Sequence, residues 1–418
     1  MIKKIKKFFS LIISLVVLLF SAGMIISLLD FFDVIDLPEI ISLKHYLIET
    51  DEVLLVSGDD SLVENSIRDK VIVVDAKDTT EYDYESIYGE EYLESLKNLN
   101  NNNNNGNVDE EFKEVDETTA VIAAREFYYN QLPDEAQQMY IALYNNKEQL
   151  RTGLFTVDFG LQFNDVLNSE GGEQIIADAF QLSINALSFD NPEIFYINPV
   201  KMFLLTEITS YPNGKTEYRV TIGANNGESY LSPDFYNKEM VDAEIDKLRD
   251  LRGRMIEETK NLSTKEKIRY VHDYLVDTVS YDRTVSKDNI YNIYGALNNG
   301  VSVCEGYARA FKYILDGMEI PCIIAVGVGT NNAGESEDHA WNYVQIAGRW
   351  YAVDVTWDDP IILGDGEITD EIRYRYFLTG RDQFFNSHFE DGYIIGNSHQ
   401  FKYPTINLVE YLLLKIIN

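Results

Sequence analysis

Cys304 opens a segment with the pattern of an amphipathic helix, and this position suits a nucleophilic thiol. Apolar residues follow it at helical spacing along one face, namely Tyr307, Ala308, Phe311 and Leu315. At the start of a helix, unpaired backbone N–H groups and the helix dipole favour a negatively charged thiolate. The thiolate is the form in which cysteine attacks a carbonyl carbon. The alternative for an arbitrary cysteine is a small apolar core residue.

Flanking residues predict where this helix begins and ends. Ser302 and Glu305 match the S-x-x-E capping box, which places Cys304 in the first turn. Gly317 suits the C-terminal end of the helix, and Pro321 follows it. The predicted helix therefore holds Cys304 at the N-terminal tip of a buried stripe.

Residues 339–357 predict two strands joined by a tight turn, with a histidine and an aspartate facing each other. If Ile346 opposes Arg349, then His339 and Asp354 lie on the same face as diagonal neighbours, close enough for their side chains to meet. A loop of odd length would instead place them on opposite faces. Such a pair lets the carboxylate hold the imidazole in one tautomer while the other ring nitrogen faces a thiol.

The tryptophans of the chain all fall in this predicted hairpin. By parity, Trp341 and Trp350 share the face of His339 and would wall a site there, whereas Trp357 is left unassigned. Ordinary strand packing explains the same pattern equally well.

The other histidines lack a cysteine or carboxylate in comparably organised strands, and they are His45, His272, His388 and His399. His272 has Asp273 beside it on a predicted helix, so packing or a local hydrogen bond is its expected role.

Cys322 is expected to be a core thiol. The predicted helix that begins at Cys304 is roughly 20 Å long at ~1.5 Å per residue, and Cys322 opens the apolar strand beyond its far end. Bridged cysteines need Cα atoms within about 7 Å of each other. We therefore expect no disulfide between Cys304 and Cys322.

Several motifs of the C-terminal half resemble the transglutaminase-like superfamily, in its bacterial branch, whose core is similar to that of papain-type proteases. They are VCEGYARAFKYIL, IPC and DHAWNYVQIAGRWYAVDVTWDDP, with HDYLVDTVSYD and IYGALNNGVSVCEGYA upstream and YRYFLTG with His388 downstream. The resemblance covers approximately residues 240–405. Cys304, His339 and Asp354 stand in the chain order of the family's catalytic triad, and none departs from its pattern.

The resemblance implies a reaction. Cys304 would attack a carboxamide or peptide carbonyl, His339 would move the proton, and Asp354 would orient His339. The acyl group would pass to an amine or to water, and the triad is common to both outcomes. A protein or peptide substrate, at the cell surface or in the cell wall, is implied, with no cofactor. The alternatives are a non-catalytic binding or scaffold module on the same fold and a structural surface protein.

The first thirty residues predict a single membrane anchor. Lys3, Lys4, Lys6 and Lys7 precede Phe8–Leu29, an uncharged run about as long as the ~20 residues that a helix needs to cross a bilayer. A cleaved signal peptide is the alternative, with Ser21-Ala22-Gly23 as small residues for cleavage. In either case the lysines remain cytoplasmic and the acidic bulk is exported, so the expected location is the cell membrane.

Charge and motif content exclude other classes of function. The 35 Lys and Arg against 69 Asp and Glu give a formal charge of −34, which disfavours binding to nucleic acid. CxxC, HExxH and EF-hand spacings are missing from the sequence, and the acidic stretch Asp358–Glu371 matches no known cation loop. We therefore expect no metal site.

The chain divides into segments of different character, and the predicted fold class is α+β, with a papain-like transglutaminase core. The predicted segments are a transmembrane anchor at 1–30, an acidic membrane-proximal region at 31–99, an Asn-rich linker at 100–114, a mixed α/β module of unknown role at 115–235 and the transglutaminase-like domain at 240–405.

Within these segments, short β-like runs are predicted at Val53–Val56 and Val71–Val74, and helices at Val121–Tyr144 (broken by Pro133), Glu173–Leu187, Met240–Lys260 and Lys265–Asp277 (with a Ser263–Glu266 capping box). A hairpin is predicted around Pro212-Asn213-Gly214-Lys215.

Overall fold

The computed structural model describes residues 67–75, 117–331, 334, 336–359, 369–392 and 399–411. The predicted membrane anchor, the Val53–Val56 run and the Asn-rich segment at 100–114 lie outside these residues, as does most of the acidic stretch after Asp358. Among the described residues, no helix combines the length and apolar character that a membrane span requires.

The described elements combine helices with strands that pair antiparallel, except for the short parallel pair β5–β6, which is an α+β arrangement. The helices are α1 (Glu117–Arg125), α2 (Asp134–Asn145), α3 (Lys147–Leu150), α4 (Asn164–Leu167), α5 (Gly172–Asp190), α6 (Lys238–Thr259), α7 (Thr264–Thr278), α8 (Cys304–Gly317), α9 (Asp370–Arg373) and α10 (Arg381–Phe384). The strands are β1 (Ile67–Asp75), β2 (Val157–Gly160), β3 (Phe203–Ser210), β4 (Thr216–Gly223), β5 (Ser280–Tyr281), β6 (Val301–Ser302), β7 (Cys322–Thr330), β8 (Ser336–Ile346), β9 (Arg349–Val353), β10 (Phe377–Thr379) and β11 (His388–Glu390).

Local signals placed most of these helices correctly. The predicted break at Pro133 separates α1 from α2, because proline cannot supply an N–H to a continuous helix. Ser263 and Glu266 form the predicted capping box at the start of α7, with both reciprocal hydrogen bonds present. The predictions for α5 and α6 are confirmed to within a few residues.

The first sheet has the strand order β1-β3-β4-β2 and belongs to the 115–235 module. Strands β3 and β4 form the predicted hairpin, in which Ser210 pairs with Thr216. Gly214 in the loop has φ = 81°, a conformation that glycine adopts without strain. Strand β1 comes from the 31–99 region and pairs antiparallel with β3, so this part of that region joins the sheet of the module.

The second sheet has the order β10-β9-β8-β7-β11, and every neighbouring pair is antiparallel. In the β8–β9 hairpin, Ile346 pairs with Arg349, which confirms the predicted register. The two turn residues, Ala347 and Gly348, have φ of 50° and 75°, as a two-residue hairpin of this handedness requires. Helix α8 packs on β7 and β8 of this sheet.

Helix α8 lies at the centre of the fold and is buried on all sides from Glu305 to Leu315. Its apolar stripe contacts the sheet, whereas its charged face packs against the 115–235 module. Lys312, only 1% exposed, donates to the carbonyls of Ala124 and Cys322, at 3.4 and 3.0 Å. Buried charges are tolerated when they are paired and hydrogen-bonded, so this face ties the module to the helix that carries Cys304.

Candidate active site

Cys304 is the first residue of α8, as predicted, but the predicted capping box is wrong. The N-cap residue is Val303, with no side-chain cap. Ser302 is fully buried in β6, and its hydroxyl donates to the carbonyl of Ile290 at 2.7 Å. Glu305 forms an ion pair within the helix instead. A contact with Ile290 thus occupies Ser302, an ion pair within the helix occupies Glu305, and no side chain caps the start of the helix beside the thiol.

The structure brings Cys304, His339 and Asp354 together from three separate elements. His339 lies on β8 and Asp354 directly follows β9, and His339 Nε2 is 2.8 Å from Asp354 Oδ2. The Cys304 side chain lies near the imidazole of His339 and acts to raise its pKa. Because Nε2 is bound to Asp354, Nδ1 is the ring nitrogen that faces the thiol. His339 and Asp354 are buried, whereas Cys304 is half-buried.

The His339–Asp354 pair is ionised at neutral pH. Burial acts to lower the pKa of His339, but the Asp354 carboxylate and the nearby Cys304 side chain outweigh it and raise that pKa to about 10. Burial alone would raise the pKa of Asp354, yet the two histidines bound to it hold that pKa well below its usual range. An imidazolium therefore lies beside the thiol, held in place by a carboxylate.

Asp354 accepts hydrogen bonds at both of its oxygens. Oδ1 accepts from the backbone N–H groups of Thr356 and Trp357, at 3.0 and 3.2 Å. Oδ2 accepts from His339 and from a second histidine, His388, whose Nε2 is 3.0 Å away. Four donors around one carboxylate fix both its charge and its orientation.

The sequence patterns gave His388 no carboxylate partner in organised strands, and that expectation is wrong. It lies on β11, which pairs with β7 so that His388 opposes Gly329. Burial lowers the pKa of His388 to about 4, although the Asp354 carboxylate acts in the opposite direction. His388 is therefore neutral at pH 7 and donates to Asp354, since an ionised carboxylate can only accept. The similarity of its segment to the family's closing segment was the only sequence signal for it.

Aromatic rings enclose the two histidines. The ring of Trp357 lies 5.0 Å from His339 and 4.5 Å from His388, and Trp341 lies 6.0 Å from His339. Trp341 thus takes the predicted place, but Trp350 does not. Trp350 pairs with Gln345, six residues along β8 from His339 or roughly 20 Å. The alternation of side chains predicted on which face of the hairpin Trp350 lies, but not how far it lies from His339 along the strands.

A second buried histidine–aspartate pair joins α7 to the segment after β9. His272 Nε2 is 3.1 Å from Asp358 Oδ2, and its Nδ1 makes the predicted local hydrogen bond to Asp273 at 3.0 Å. Asp358 also accepts from the backbone N–H of Tyr376 at 2.8 Å. Burial raises the pKa of Asp358 to about 7. The contacts of Asp358 therefore connect α7 with the backbone just before β10.

His339, Asp354 and His388 also form the one group, among the described residues, whose atoms are close enough to share a metal ion. Their nitrogen–oxygen distances of 2.8 and 3.0 Å are those of hydrogen bonds. Ligands of a tetrahedral zinc ion, bound at ~2.0–2.1 Å, would stand about 3.3 Å apart. All three side chains are almost completely buried, so the geometry favours a hydrogen-bonded triad with a supporting histidine.

As the pH falls, the protein with His388→Asn should lose less stability than the wild type. The pKa of His388 is about 4 in the folded protein and ~6.5 in an unfolded chain. Between these values the unfolded chain binds more protons, so stability is fully present above pH 6.5 and falls as the pH falls towards 4. When the unfolded chain binds one proton more than the folded protein, the free energy of unfolding falls by about 1.4 kcal/mol for each pH unit of acidification.

The measurement is the free energy of unfolding in urea at pH 4.5, 5.5, 6.5 and 7.5 for both proteins. Asp354 stays ionised throughout this range, so the wild-type curve should fall more steeply than that of His388→Asn. Parallel curves would show that His388 is not buried in its neutral form.

A comparison of the sequence with protein families matches residues 249–355 to the Transglutaminase-like superfamily. This match lies within the predicted 240–405 region and confirms the resemblance for about a quarter of the chain. Kyphoscoliosis peptidase of Mus musculus and that of Homo sapiens are each 27% identical over 141 residues. The aligned segment is 31% and 30% of this chain, respectively, and spans only 21% of either relative.

Solved structures that resemble this chain are distant from it in sequence. A crystal structure of a TGase is 15% identical with a TM-score of 0.25, over 50% of this chain and 57% of that one. The periplasmic domain of TgpA from Pseudomonas aeruginosa is 12% identical with a TM-score of 0.22, over 37% and 70%. A putative cysteine protease from Cytophaga hutchinsonii is 14% identical with a TM-score of 0.22, over 38% and 68%.

Proposed function

We propose that the transglutaminase-like domain of this chain is a cysteine-dependent enzyme that acts on carboxamide or peptide bonds of a protein or peptide. The observation that carries this proposal is the arrangement of Cys304 beside His339, which is hydrogen-bonded to Asp354. Its thiol is half-buried at an uncapped helix start, and its other two members are almost completely buried. A nucleophile, a proton carrier and a group that orients the carrier are the parts that covalent acyl transfer needs.

In the first half of the reaction, the Cys304 thiolate attacks the carbonyl carbon and a C–S bond forms. The electron pair of the C=O bond moves to oxygen, and the backbone N–H of Cys304 is the candidate donor to that oxyanion. His339 then gives its Nδ1 proton to the leaving nitrogen as the C–N bond breaks. The products of this half are a free amine or ammonia and a thioester on Cys304.

In the second half, an amine or a water molecule attacks the thioester and gives a proton to His339 Nδ1. The C–S bond breaks, the acyl group leaves as an amide or an acid, and the thiolate–imidazolium pair is restored. Asp354 stays ionised throughout and holds His339 through Nε2. The same residues serve transfer and hydrolysis, and the acceptor decides between them.

We further propose that the enzyme is exported, held at the cell membrane by its N-terminal segment, and acts on surface protein or cell-wall peptide. The four lysines before Phe8–Leu29 support this orientation, since positive charge flanking an apolar segment stays in the cytoplasm. Protease added to intact cells should then digest the C-terminal half of the chain. Protection of that half until the cells are lysed would contradict export.

Alkylation by iodoacetamide tests the proposed site without a known substrate. An ordinary thiol has a pKa of ~8.5 and is almost fully protonated at pH 6, whereas a thiolate beside the His339 imidazolium reacts there. We expect Cys304 of the full-length chain to be alkylated at pH 6, and His339→Ala to slow this reaction by about tenfold or more. Mass spectrometry of the two cysteine-containing peptides across pH 5–9 measures both rates.

Cys322 is the internal control for this experiment. It is fully buried, and burial raises the pKa of its thiol, so it should react only when the protein unfolds. If Cys304 reacts no faster than Cys322, or keeps its full reactivity in His339→Ala, then the proposed thiolate–imidazolium pair does not exist.

A further inference from the structure

Glu337 presents an exposed carboxylate beside the candidate active site. It lies on β8 two residues before His339, so the two side chains point to the same face of the sheet and their Cα atoms are ~6.6–6.8 Å apart. Glu337 is exposed, and its carboxylate takes part in no ion pair or hydrogen bond between the described residues. The reaction steps proposed above make no use of this charge.

The indole of Trp357 lies next to Glu337, in the space over a glycine. Gly329 pairs with Glu337 across the β7–β8 ladder, so side chains at these two positions point the same way. A Cβ on Gly329 would lie 2.7 Å from Trp357 Cζ2 and 3.3 Å from His339 Cβ. Directly opposed Cβ atoms are ~4.5–5.5 Å apart, which puts this edge of the indole within about 8 Å of the Glu337 Cβ. Trp357 is half-buried, so part of it is open to solvent.

The side chain of Tyr281 lies near both the thiol and Glu337. Tyr281 is on β5, which pairs with β6 so that Tyr281 opposes Ser302, two residues before Cys304. Burial raises the pKa of Tyr281, and the negative charges of Cys304 and Glu337 raise it further. Because the interaction between charges weakens with distance, both groups lie close to this one hydroxyl. The strand that carries His339 therefore brings Glu337 to the same place as the thiol.

The site has a net negative charge that an added cation would offset. In the proposed reaction the Cys304 thiolate and the Asp354 carboxylate are negative and the His339 imidazolium is positive, which leaves one negative charge. His388 is neutral at pH 7, so Glu337 adds a second negative charge that nothing in the triad balances. An exposed carboxylate and an indole ring are each groups that bind an ammonium or a guanidinium ion.

From this arrangement we infer that Glu337 and Trp357 form a subsite for a positively charged side chain of the substrate, lysine or arginine, within two residues of the reacting amide. The limit follows from the spacing of Glu337 and His339, which matches the length of two extended peptide residues at ~3.3–3.6 Å each. Glu337 is thus a specificity residue and takes no part in the proton transfers. The inference rests on the proposed function, and it holds for transfer and hydrolysis alike.

The test compares alkylating probes that differ in a single charge, using the full-length chain at pH 6. Each probe is one amino acid with an iodoacetyl group on its N- or C-terminal side and the other terminus blocked. Lysine is paired with norleucine, and arginine with citrulline. We expect a cationic probe of at least one orientation to alkylate Cys304 about five- to tenfold faster than its uncharged partner. Higher ionic strength should reduce this ratio, which mass spectrometry of the Cys304 peptide measures.

Substitutions at two neighbouring positions separate the subsite from the general acidity of the chain. Glu337→Gln should remove most of the preference for cationic probes, and Glu337→Lys should reverse it. Asp338→Asn is the matched control, because it removes one negative charge from the next residue, on the opposite face of β8, and it should keep the wild-type ratio. The side chain of Glu337 is exposed, so its variants should fold, as a thermal melt can verify.

Three results would overturn the subsite. The first is equal rates within both probe pairs, in both orientations, for the wild type. The second is an undiminished preference in Glu337→Gln, and the third is an equal loss of preference in Glu337→Gln and Asp338→Asn. A preference for lysine alone or for arginine alone supports the subsite and identifies its cation. Failure of the proposed function looks different, because Cys304 would then fail to react at pH 6 even with plain iodoacetamide.

Discussion

Cys304→Ala is expected to eliminate amide hydrolysis or transfer, with a loss of roughly 10⁴-fold or more, while the protein remains folded. The substitution removes the sulfur atom that forms the thioester in the proposed reaction. It should cost little stability, because Cys304 is half-buried at the tip of α8 and caps nothing. Turnover of glutamine-containing and peptide amide substrates, measured beside a thermal melt, checks both parts of this expectation.

Cys322→Ala is the matched control, since it changes the other cysteine in the same way. Cys322 is fully buried at the start of β7, so its loss should leave a small cavity and cost on the order of 1 kcal/mol. Activity should survive. If Cys304→Ala retained turnover, the nucleophile would have to be another group, and if it unfolded, Cys304 would be a core residue rather than a functional one.

Asp354→Asn should fold and lose activity by on the order of 10³–10⁴-fold. The backbone N–H groups of Thr356 and Trp357 bind one oxygen of Asp354, so an asparagine would turn its carbonyl oxygen towards them. Its NH₂ group would then face His339 Nε2, which must become an acceptor. The proton of a neutral imidazole would move to Nδ1, and that nitrogen could no longer accept the proton of the incoming amine or water.

The measurement for Asp354→Asn is the rate of turnover together with the alkylation profile of Cys304 from pH 5 to 9. Alkylation at pH 6 should fall as well, because the carboxylate that keeps His339 protonated is gone. Asp358→Asn provides the comparison, since Asp358 binds His272 in a similar buried pair. It should lower stability and leave the alkylation of Cys304 intact. Turnover like that of the wild type in Asp354→Asn would mean that another group orients His339.

Patterns of short range were sufficient to predict the framework of the site. The register of the β8–β9 hairpin followed from alternation and from a two-residue turn at Ala347-Gly348, and this register brings His339 to Asp354. The position of Cys304 at the start of α8 followed from helical periodicity. These features depend on residues within about twenty positions of each other, where the geometry of one helix or one hairpin determines the distances.

The parts that the sequence did not reveal depend on contacts between distant segments. His388 reaches Asp354 because β11 pairs with β7, and no local pattern specifies that pairing. The predicted capping box at Ser302 is wrong for a related reason. The Ser302 hydroxyl donates a hydrogen bond to the carbonyl of Ile290, twelve residues upstream, instead of capping the helix. A residue's type and spacing state what it can bind, whereas the packing around it decides which of the competing partners it binds.

The sequence by itself thus determined the members of the candidate site, namely a cysteine at a helix start and a histidine–aspartate pair on a hairpin. Only the tertiary structure decided the surroundings of these residues. It buried the pair so that the charges of His339 and Asp354 stabilise each other, and it added His388 as a second donor. The physical reason is that burial and charge coupling depend on every element that packs around a group, and these elements come from the whole folded chain.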